Sequence, residues 1–228
     1  MSFSIVIPIY NEEDNIVKLY NEIISSLNNL NYEILFIDDS SNDKSLIKIN
    51  SLLVDKKVKL LKNKKNMGQS FSILNGVKNA IYNTIVTIDG DGQNDPKDIK
   101  TLTNMYFEND QVLLIGGIRK ERKDNIIKKI SSFSANLIRS KILQDDCMDT
   151  GCALKVFDKQ TFLSFPYFDG IHRFLPALFK GFKKRTLFVN VNHRKRIFGK
   201  SKYGVYNRLF RGIRDIIKVY LIIKAFKG

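Results

Sequence analysis

The sequence of 228 residues contains only two cysteines, two histidines and four prolines, and it has no tryptophan. Cys147 and Cys152 are spaced C-x4-C and lack the second pair of cysteine or histidine ligands that a structural zinc site needs. We therefore expect two reduced thiols, as in a cytosolic protein. With 43% hydrophobic and 11% aromatic residues, the chain is not disordered and can form one compact body.

Long apolar runs and several well-known glycine patterns are also missing. No segment reaches the length of a membrane span, and the N-terminus lacks the charged region and cleavage signal of a secretory leader. Any membrane contact is therefore expected to be peripheral. Neither G-x-G-x-x-G nor the P-loop pattern occurs, which argues against a Rossmann dehydrogenase and a P-loop NTPase.

Acidic residues are scarce relative to basic ones. The chain has 38 Lys and Arg against 23 Asp and Glu, a formal net charge of +15. Such an excess favours polyanionic partners, namely nucleic acid, anionic lipid headgroups or phosphorylated substrates. Charge alone does not choose among them.

Apolar strands alternate with amphipathic helices along the chain. Strands are predicted at 5–9, 32–38, 58–61, 83–88 and 112–117, with helical patterns between them. This order predicts an α/β fold with a mostly parallel central sheet flanked by helices, whose ligands gather at the carboxyl ends of the strands. We treat 1–204 as one domain with halves 1–96 and 97–204, followed by an amphipathic helix at 205–228.

Polar clusters follow three of these strands, and the cluster after 83–88 reads Asp-Gly-Asp-Gly-Gln. The carboxylates of Asp89 and Asp91 and the amide oxygen of Gln93 are hard ligands suited to Mg2+ or Mn2+. An EF-hand fits poorly because its twelfth position, which needs Glu, is Lys100. A plain surface turn rich in Gly, Asp and Asn is the alternative interpretation.

Three motifs in order make the first hundred residues similar to one family. V-I-P-I-Y-N-E at 6–12, I-D-D-S-S at 37–41 and D-G-D at 89–91 resemble motifs of family 2 glycosyltransferases with the GT-A fold, in particular dolichol-phosphate mannosyltransferase and its bacterial polyprenyl-phosphate relatives. The resemblance implies that Asp89, Gly90, Asp91 and Gln93 bind the donor diphosphate and its metal. It also implies a nucleotide pocket lined by Pro8, Tyr10, Glu12, Ile37 and Asp39.

The resemblance continues into the second half. Arg119 begins a basic stretch that contacts phosphate in family members, although a solvated run of charges is the simpler interpretation. A helix is expected at 126–143. There Phe133 replaces an arginine that lies near the acceptor phosphate in relatives, and Lys128, Lys129 or Arg139 are candidate substitutes.

The segment D-T-G-C-A-L-K at 149–155 resembles one that borders the reaction centre in bacterial members, but a turn before a strand fits equally. Cys152 is not expected to act as a nucleophile, because this chemistry needs no covalent cysteine intermediate. His172 lies among apolar residues, so a structural role is favoured over that of a catalytic base.

The basic stretch 193–204 resembles the family's acceptor loop, in which cations matching Arg196 and Lys202 approach the diphosphate. A nucleic-acid patch is the competing interpretation, but no nucleic-acid-binding module accompanies it. The helix after this loop carries an apolar face formed by Leu209, Phe210, Ile213, Ile216, Ile217 and Tyr220. Packing against the domain and binding at a membrane interface are both open for it.

The sequence hypothesis is therefore a metal-dependent, inverting transfer of one sugar from a nucleoside-diphosphate sugar to a polyprenyl phosphate at the cytoplasmic membrane face. Asp91, Asp149, Arg196 and Lys202 are the candidate catalytic residues. One alternative is a glycan hydroxyl acceptor with Asp149 as its base. Another is a noncatalytic nucleotide-sugar or nucleic-acid-binding module. An anionic membrane surface, a membrane protein and a second copy of the chain are candidate partners, whereas nucleic acid is not favoured.

Overall fold

A computed structural model of the chain describes residues 1–120, 139–196 and 205–227, with no side chains described at 205–211 and 227. The described strands are β1 (Ser2–Ile9), β2 (Asn31–Asp38), β3 (Val58–Lys62), β4 (Thr84–Thr87), β5 (Val112–Arg119), β6 (Lys155–Asp158) and β7 (Arg185–Val191). The helices are α1 (Ile16–Ser26), α2 (Ser45–Leu52), α3 (Gln69–Asn79), α4 (Lys97–Phe107), α5 (Lys159–Ser164), α6 (Leu175–Gly181) and α7 (Val205–Lys227), with a 3-10 turn at Ile171–Arg173.

These strands form one sheet in the order β3-β2-β1-β4-β6-β5-β7. Each pair is parallel except at β6, which is antiparallel to both β4 and β5. The predicted mostly parallel α/β fold is confirmed. The reversal at β6 is not apparent from the sequence, because strand order depends on contacts between distant segments. Because β6 pairs with both β4 and β5, the sheet is continuous across the two halves of the chain.

The two faces of the sheet are buried by different helices. On one face, α1 and α4 contribute buried residues such as Ile16, Ile23 and Leu102 to a core with β1 and β2. On the other face, α3, α6 and α7 pack through residues that include Val77 and Leu178. Nearly continuous Ile, Val, Leu and Phe in β1 and β2 fit strands that are covered on both sides.

The last helix turns Ile213, Ile217 and Tyr220 of its predicted apolar face away from the core, while Ile216 packs partly against it. Its inward side carries the buried residues Asp215, Val219 and Ile223, whereas Ile213 and Ile217 of the predicted face are more than half exposed. The inward side contains Asp215 because Arg173 forms an ion pair with it at 2.8 Å. The side chains of Leu209 and Phe210 lie outside the described residues, as does most of the helix predicted at 126–143, of which 139–143 is helical.

Candidate active site

One edge of the sheet collects the polar strand ends. The carboxyl ends of β1, β2, β4, β5 and β7 lie at this edge, and the antiparallel β6 begins there. A cleft of about 300 Å3 opens beside them. Its lining includes most of the residues singled out from the sequence motifs: Pro8, Tyr10, Glu12, Asp39, Asp89, Gly90, Asp91, Gln93 and Arg196.

Ile37 is the exception among the residues expected to line the nucleotide pocket. Its side chain is fully buried in the core below the cleft, on the face of the sheet covered by α3. The reason is its position along the strand: Ile37 lies within β2 and packs beneath α3, whereas the cleft begins beyond the end of β2, at Asp39. Ile37 therefore supports the floor of the cleft through packing.

Asp89 and Asp91 stand at the tip of β4, with Gly90 between them. A Cβ atom on Gly90 would lie 2.3 Å from Cδ1 of Ile9 and 3.2 Å from the carbonyl oxygen of Pro8. Glycine thus lets the tip of β4 lie directly against the end of β1. Gln69, the first residue of α3, donates to Oδ1 of Asp89 at 2.7 Å, and the backbone N–H of Gln93 donates to Oδ1 of Asp91 at 3.0 Å.

Electrostatics at this tip favour a bound cation. Burial raises the pKa of Asp89, and the negative charge of Asp91 raises it further, although Lys155, Arg119 and Arg196 act in the opposite direction. A divalent ion would relieve the repulsion between the two carboxylates. Within 1–120, 139–196 and 205–227, no group of three or more His, Cys, Asp or Glu side chains is arranged to hold a metal. Two carboxylates and an amide instead fit an ion that shares its shell with substrate phosphate and water.

Asp39 holds the far side of the cleft together. Its carboxylate accepts hydrogen bonds from the backbone N–H groups of Met67 and Gly68, both at 2.8 Å, and from the side chain of Asn63 at 2.7 Å. Gly68 has a φ of +85°, a left-handed conformation that suits glycine. Asp39 therefore fixes the connection between β3 and α3 as a wall of the cleft.

Arg196 contacts two acidic residues that line the cleft, Glu12 and Asp91. Its guanidinium lies 2.6 Å from Oε1 of Glu12 and 3.6 Å from Oδ2 of Asp91. The other oxygen of Glu12 accepts from Asn15 at 2.9 Å. A fixed cation consequently stands beside the candidate metal ligands. Lys202, its predicted companion, lies outside the described residues.

Arg119 and Asp149 form a close ion pair at the end of β5. Nε and Nη2 of Arg119 lie 2.7 Å from Oδ2 and Oδ1 of Asp149, and the backbone N–H of Arg119 donates to the same carboxylate at 3.2 Å. Asp149 is buried. Both predicted residues are thus brought together, with the arginine bonded to both oxygens of the carboxylate.

The family model described as Glycosyl transferase family 2 matches residues 4–165. The chain belongs to this family. It is 31% identical over 231 residues to a dodecaprenyl-phosphate galacturonate synthase of Rhizobium johnstonii, covering 98% of this chain and 68% of that protein. An undecaprenyl-phosphate 4-deoxy-4-formamido-L-arabinose transferase of Aeromonas hydrophila is 31% identical over 206 residues, covering 89% of this chain and 63% of that protein. The chain thus spans roughly two thirds of the length of these relatives.

Solved structures support the same architecture. Glucosyl-3-phosphoglycerate synthase from Mycobacterium tuberculosis, in complex with Mn2+, uridine diphosphate and glucosyl-3-phosphoglycerate, superposes with a TM-score of 0.73 at 15% identity. The match covers 97% of this chain and 79% of that one. The fold of this glycosyltransferase is accordingly GT-A, as the motifs suggested.

His172 and Arg139 of this glycosyltransferase, both considered in the sequence analysis, interact with buried polar side chains. Nδ1 of His172 lies 2.7 Å from the hydroxyl of Ser70, and burial, with the nearby positive charges of Arg173 and Lys155, lowers the pKa of His172 to about 3. A neutral, hydrogen-bonded imidazole fits the structural role. Arg139 is buried and pairs with Asp145 at 3.2 Å, so it is engaged away from solvent.

Both cysteines are free and buried, and burial raises the pKa of each thiol. Raised pKa values disfavour the thiolate form that nucleophilic chemistry requires.

Several residues that support the cleft through its lining residues belong to no motif and were missed. Gln69 contacts Asp89, Asn63 contacts Asp39, and Arg194 forms ion pairs with Glu22 at 2.6 Å and Asp95 at 2.8 Å. The only sequence signal for Arg194 was its place in a basic stretch. Its partners are far away in the sequence and become neighbours only in the fold.

Proposed function

We propose that this glycosyltransferase moves one sugar, with inversion, from a nucleoside-diphosphate sugar such as GDP-mannose or a UDP-hexose to a polyprenyl phosphate of the dolichyl or undecaprenyl type. The observation that carries the proposal is a cleft lined by Asp89, Asp91 and Arg196. In it, Nη2 of Arg196 lies 3.6 Å from Oδ2 of Asp91. Relatives named for dodecaprenyl and undecaprenyl phosphate support the acceptor class.

Asp89, Asp91 and Gln93 would hold Mg2+ or Mn2+ at the tip of β4. Such an ion, when bound, neutralises diphosphate charge. Pro8, Tyr10, Glu12 and Asp39 line the end of the cleft that would receive the nucleoside. Gly90, which also lines the cleft, would let the donor approach the backbone closely. Arg196, joined by Lys202, would stabilise the charge that develops on the departing nucleotide.

A phosphate acceptor is favoured over a glycan hydroxyl by the state of Asp149. A phosphate is already an anion at neutral pH and needs positioning more than deprotonation. A hydroxyl acceptor would need Asp149 as a base, yet both oxygens of this carboxylate are bonded to Arg119. The Arg119 and Asp149 pair is better suited to organising the acceptor side of the cleft.

An anionic bilayer surface at the cytoplasmic face is the proposed site of action. Ile213, Ile217, Tyr220 and Leu221 form an exposed stripe along α7, with exposed fractions of 53%, 55%, 45% and 57%. Arg214, on the same helix, has a side chain that is 76% exposed. Together with the net charge of +15, this pattern fits a helix lying on anionic lipid. In the part of the chain that the structure describes, no helix is long and apolar enough to cross a bilayer.

Nucleic acid is not proposed as a partner. Arg194 and Arg196, the described arginines of the basic stretch, pair with carboxylates at the cleft. A membrane-protein partner and a homo-oligomer remain proposals that the oligomeric state in detergent would test.

The deciding experiment supplies the protein with Mn2+, a polyprenyl phosphate in detergent and a panel of labelled UDP- and GDP-sugars. We expect one donor to yield an organic-extractable, acid-labile product. Asp91→Asn should reduce its formation on the order of 100-fold, because a carboxylate ligand becomes a neutral amide and its negative charge is lost. Asp110→Asn is the matched control, since this exposed residue precedes β5 at the opposite edge of the sheet.

Failure of every donor with polyprenyl phosphate, alongside turnover with a saccharide acceptor, would contradict the lipid-phosphate assignment. Full activity of Asp91→Asn would contradict the proposed site.

A further inference from the structure

The segment that follows β7 is attached along the loop carrying the candidate metal ligands. His193 forms an antiparallel bridge with Asn94, and the backbone N–H of Arg194 donates to the carbonyl oxygen of Gln93 at 2.8 Å. The side-chain nitrogen of Gln93 lies 3.3 Å from Nε2 of His193 and 3.4 Å from the carbonyl oxygen of Arg194. The orientation of the Gln93 amide therefore depends on this segment.

The side chain of Arg194 joins three separate parts of the chain. Nη1 lies 2.6 Å from Oε2 of Glu22 on α1, and Nη2 lies 2.8 Å from Oδ1 of Asp95, just before α4. Although burial lowers the pKa of Arg194, hydrogen bonds to Glu22 and Asp95 outweigh it and raise the pKa overall. A rigid, permanently charged fork suits a link between two carboxylates in fixed positions.

Arg196 follows two residues after this anchor. Its guanidinium reaches Glu12 at 2.6 Å and Asp91 at 3.6 Å. The anchor at Arg194 thus fixes the backbone from which Arg196 extends into the cleft. The same anchor holds the loop that contains Asp91 and Gln93. One side chain therefore links the position of the Arg196 guanidinium to that of the candidate metal ligands.

We propose that Arg194 is a positioning residue, which holds the loop 91–95 and Arg196 in the mutual geometry that a divalent ion and a diphosphate require. This inference rests on the proposed function. Arg194 itself does not line the cleft and acts through Asp95 and the backbone of Gln93. It belongs to the class of outer residues that orient metal ligands without touching the ion.

The test measures metal affinity directly. Mn2+ is titrated into the protein with UDP or GDP, and protein-bound ion is read from the loss of the free-Mn2+ EPR signal beyond that caused by the same nucleotide without protein. We expect Arg194→Met to raise the Mn2+ dissociation constant on the order of 10-fold to 100-fold, as for other residues that orient ligands. Arg194→Lys should fall between, because an ammonium group lacks the planar fork. Arg185→Met, at the start of β7 and hydrogen-bonded to Gln111, should match wild type.

Thermal unfolding separates this role from a purely structural one. If Arg194→Met does not fold, Glu22→Gln and Asp95→Asn each remove one partner and should each weaken Mn2+ binding by a smaller factor. Wild-type Mn2+ affinity in folded Arg194→Met, or in both partner variants, would overturn the inference while leaving the proposed site intact. No Mn2+ binding by the wild-type protein with either nucleotide would overturn the proposed metal site, and the inference with it.

Discussion

A neutral histidine holds the start of α3 against the 3-10 turn. Ser70 lies 2.7 Å from Nδ1 of His172 and accepts a hydrogen bond from the backbone N–H of Gly170, also at 2.7 Å. The neighbouring residue, Gln69, contacts Asp89. Protonation of His172 would therefore disturb a contact one residue from the cleft.

Stability should fall in acid because of His172. Its pKa is about 3 in the folded protein against 6.5 for an unperturbed histidine, so the unfolded chain takes up a proton first as the pH drops. The free energy of unfolding should lose up to about 1.4 kcal/mol per pH unit below the higher value, until the folded pKa is reached. In urea titrations from neutral pH to about pH 5, His172→Gln should show a flatter dependence than wild type. Equal slopes would contradict this assignment.

The Arg119 and Asp149 pair leads to a separate prediction for catalysis. Asp149→Asn should lower kcat/KM, because Arg119 loses its charged partner, but the shape of the pH profile should not change if the acceptor is a phosphate. The measurement compares pH–rate profiles of the two proteins. Loss of an acidic limb in the variant alone would instead identify Asp149 as a general base for a hydroxyl acceptor.

Motifs predicted the cleft better than they predicted its supports. Most motif residues meet at one edge because the carboxyl ends of parallel strands converge there. Gln69, Asn63 and Arg194 were missed because their roles come from partners distant in the sequence. Ile37 was assigned to the cleft because it belongs to a motif, although it lies inside β2 and packs in the core below the strand end.

Among the elements, α7 departs most from its sequence pattern. Of the predicted face Ile213, Ile216, Ile217 and Tyr220, only Ile216 packs partly against the core, and the buried residues in the described part of the helix are Asp215, Val219 and Ile223. Apolar residues lie nearly all round this helix, so periodicity could not identify the inward face. The ion pair of Asp215 with Arg173, which no local pattern shows, accompanies the observed orientation of the helix.

The exposed stripe of α7 predicts binding to anionic vesicles. Ile217→Glu with Leu221→Glu should reduce vesicle partitioning more than tenfold, because two apolar side chains together lose on the order of 2 kcal/mol of lipid burial. Co-sedimentation with phosphatidylglycerol vesicles measures this. Ile47→Glu on α2, where the residue is 66% exposed, is the matched control. Activity on acceptor in detergent should persist in the double variant, and unchanged vesicle binding would exclude this helix as the docking element.

At the scale of the whole molecule, the continuous sheet predicts cooperative unfolding. The first half supplies β3, β2, β1 and β4, and the second supplies β6, β5 and β7, joined where β4 pairs with β6. We expect far-UV circular dichroism and tyrosine fluorescence to report one coincident urea transition. The reason is that each half would expose an unpaired strand, β4 or β6, if the other half unfolded. Two separated transitions would show that the halves fold independently.

The alternation of apolar segments was sufficient to predict the fold class and the positions of the early strands. It could not predict that β6 is antiparallel to its neighbours. The apolar pattern of a four-residue strand does not distinguish parallel from antiparallel pairing.

That reversed strand has a consequence for how the enzyme can diversify. Because β6 enters the sheet at the edge where the cleft lies, the peptide leading into it lies on the side that we propose for the acceptor, while its outgoing end departs from the opposite edge. We expect insertions or deletions just ahead of Lys155 to alter that side directly, because among the described strands β6 pairs with β4 and β5 and not with β1 or β2. Changes in this peptide should accordingly affect acceptor preference more than nucleotide recognition.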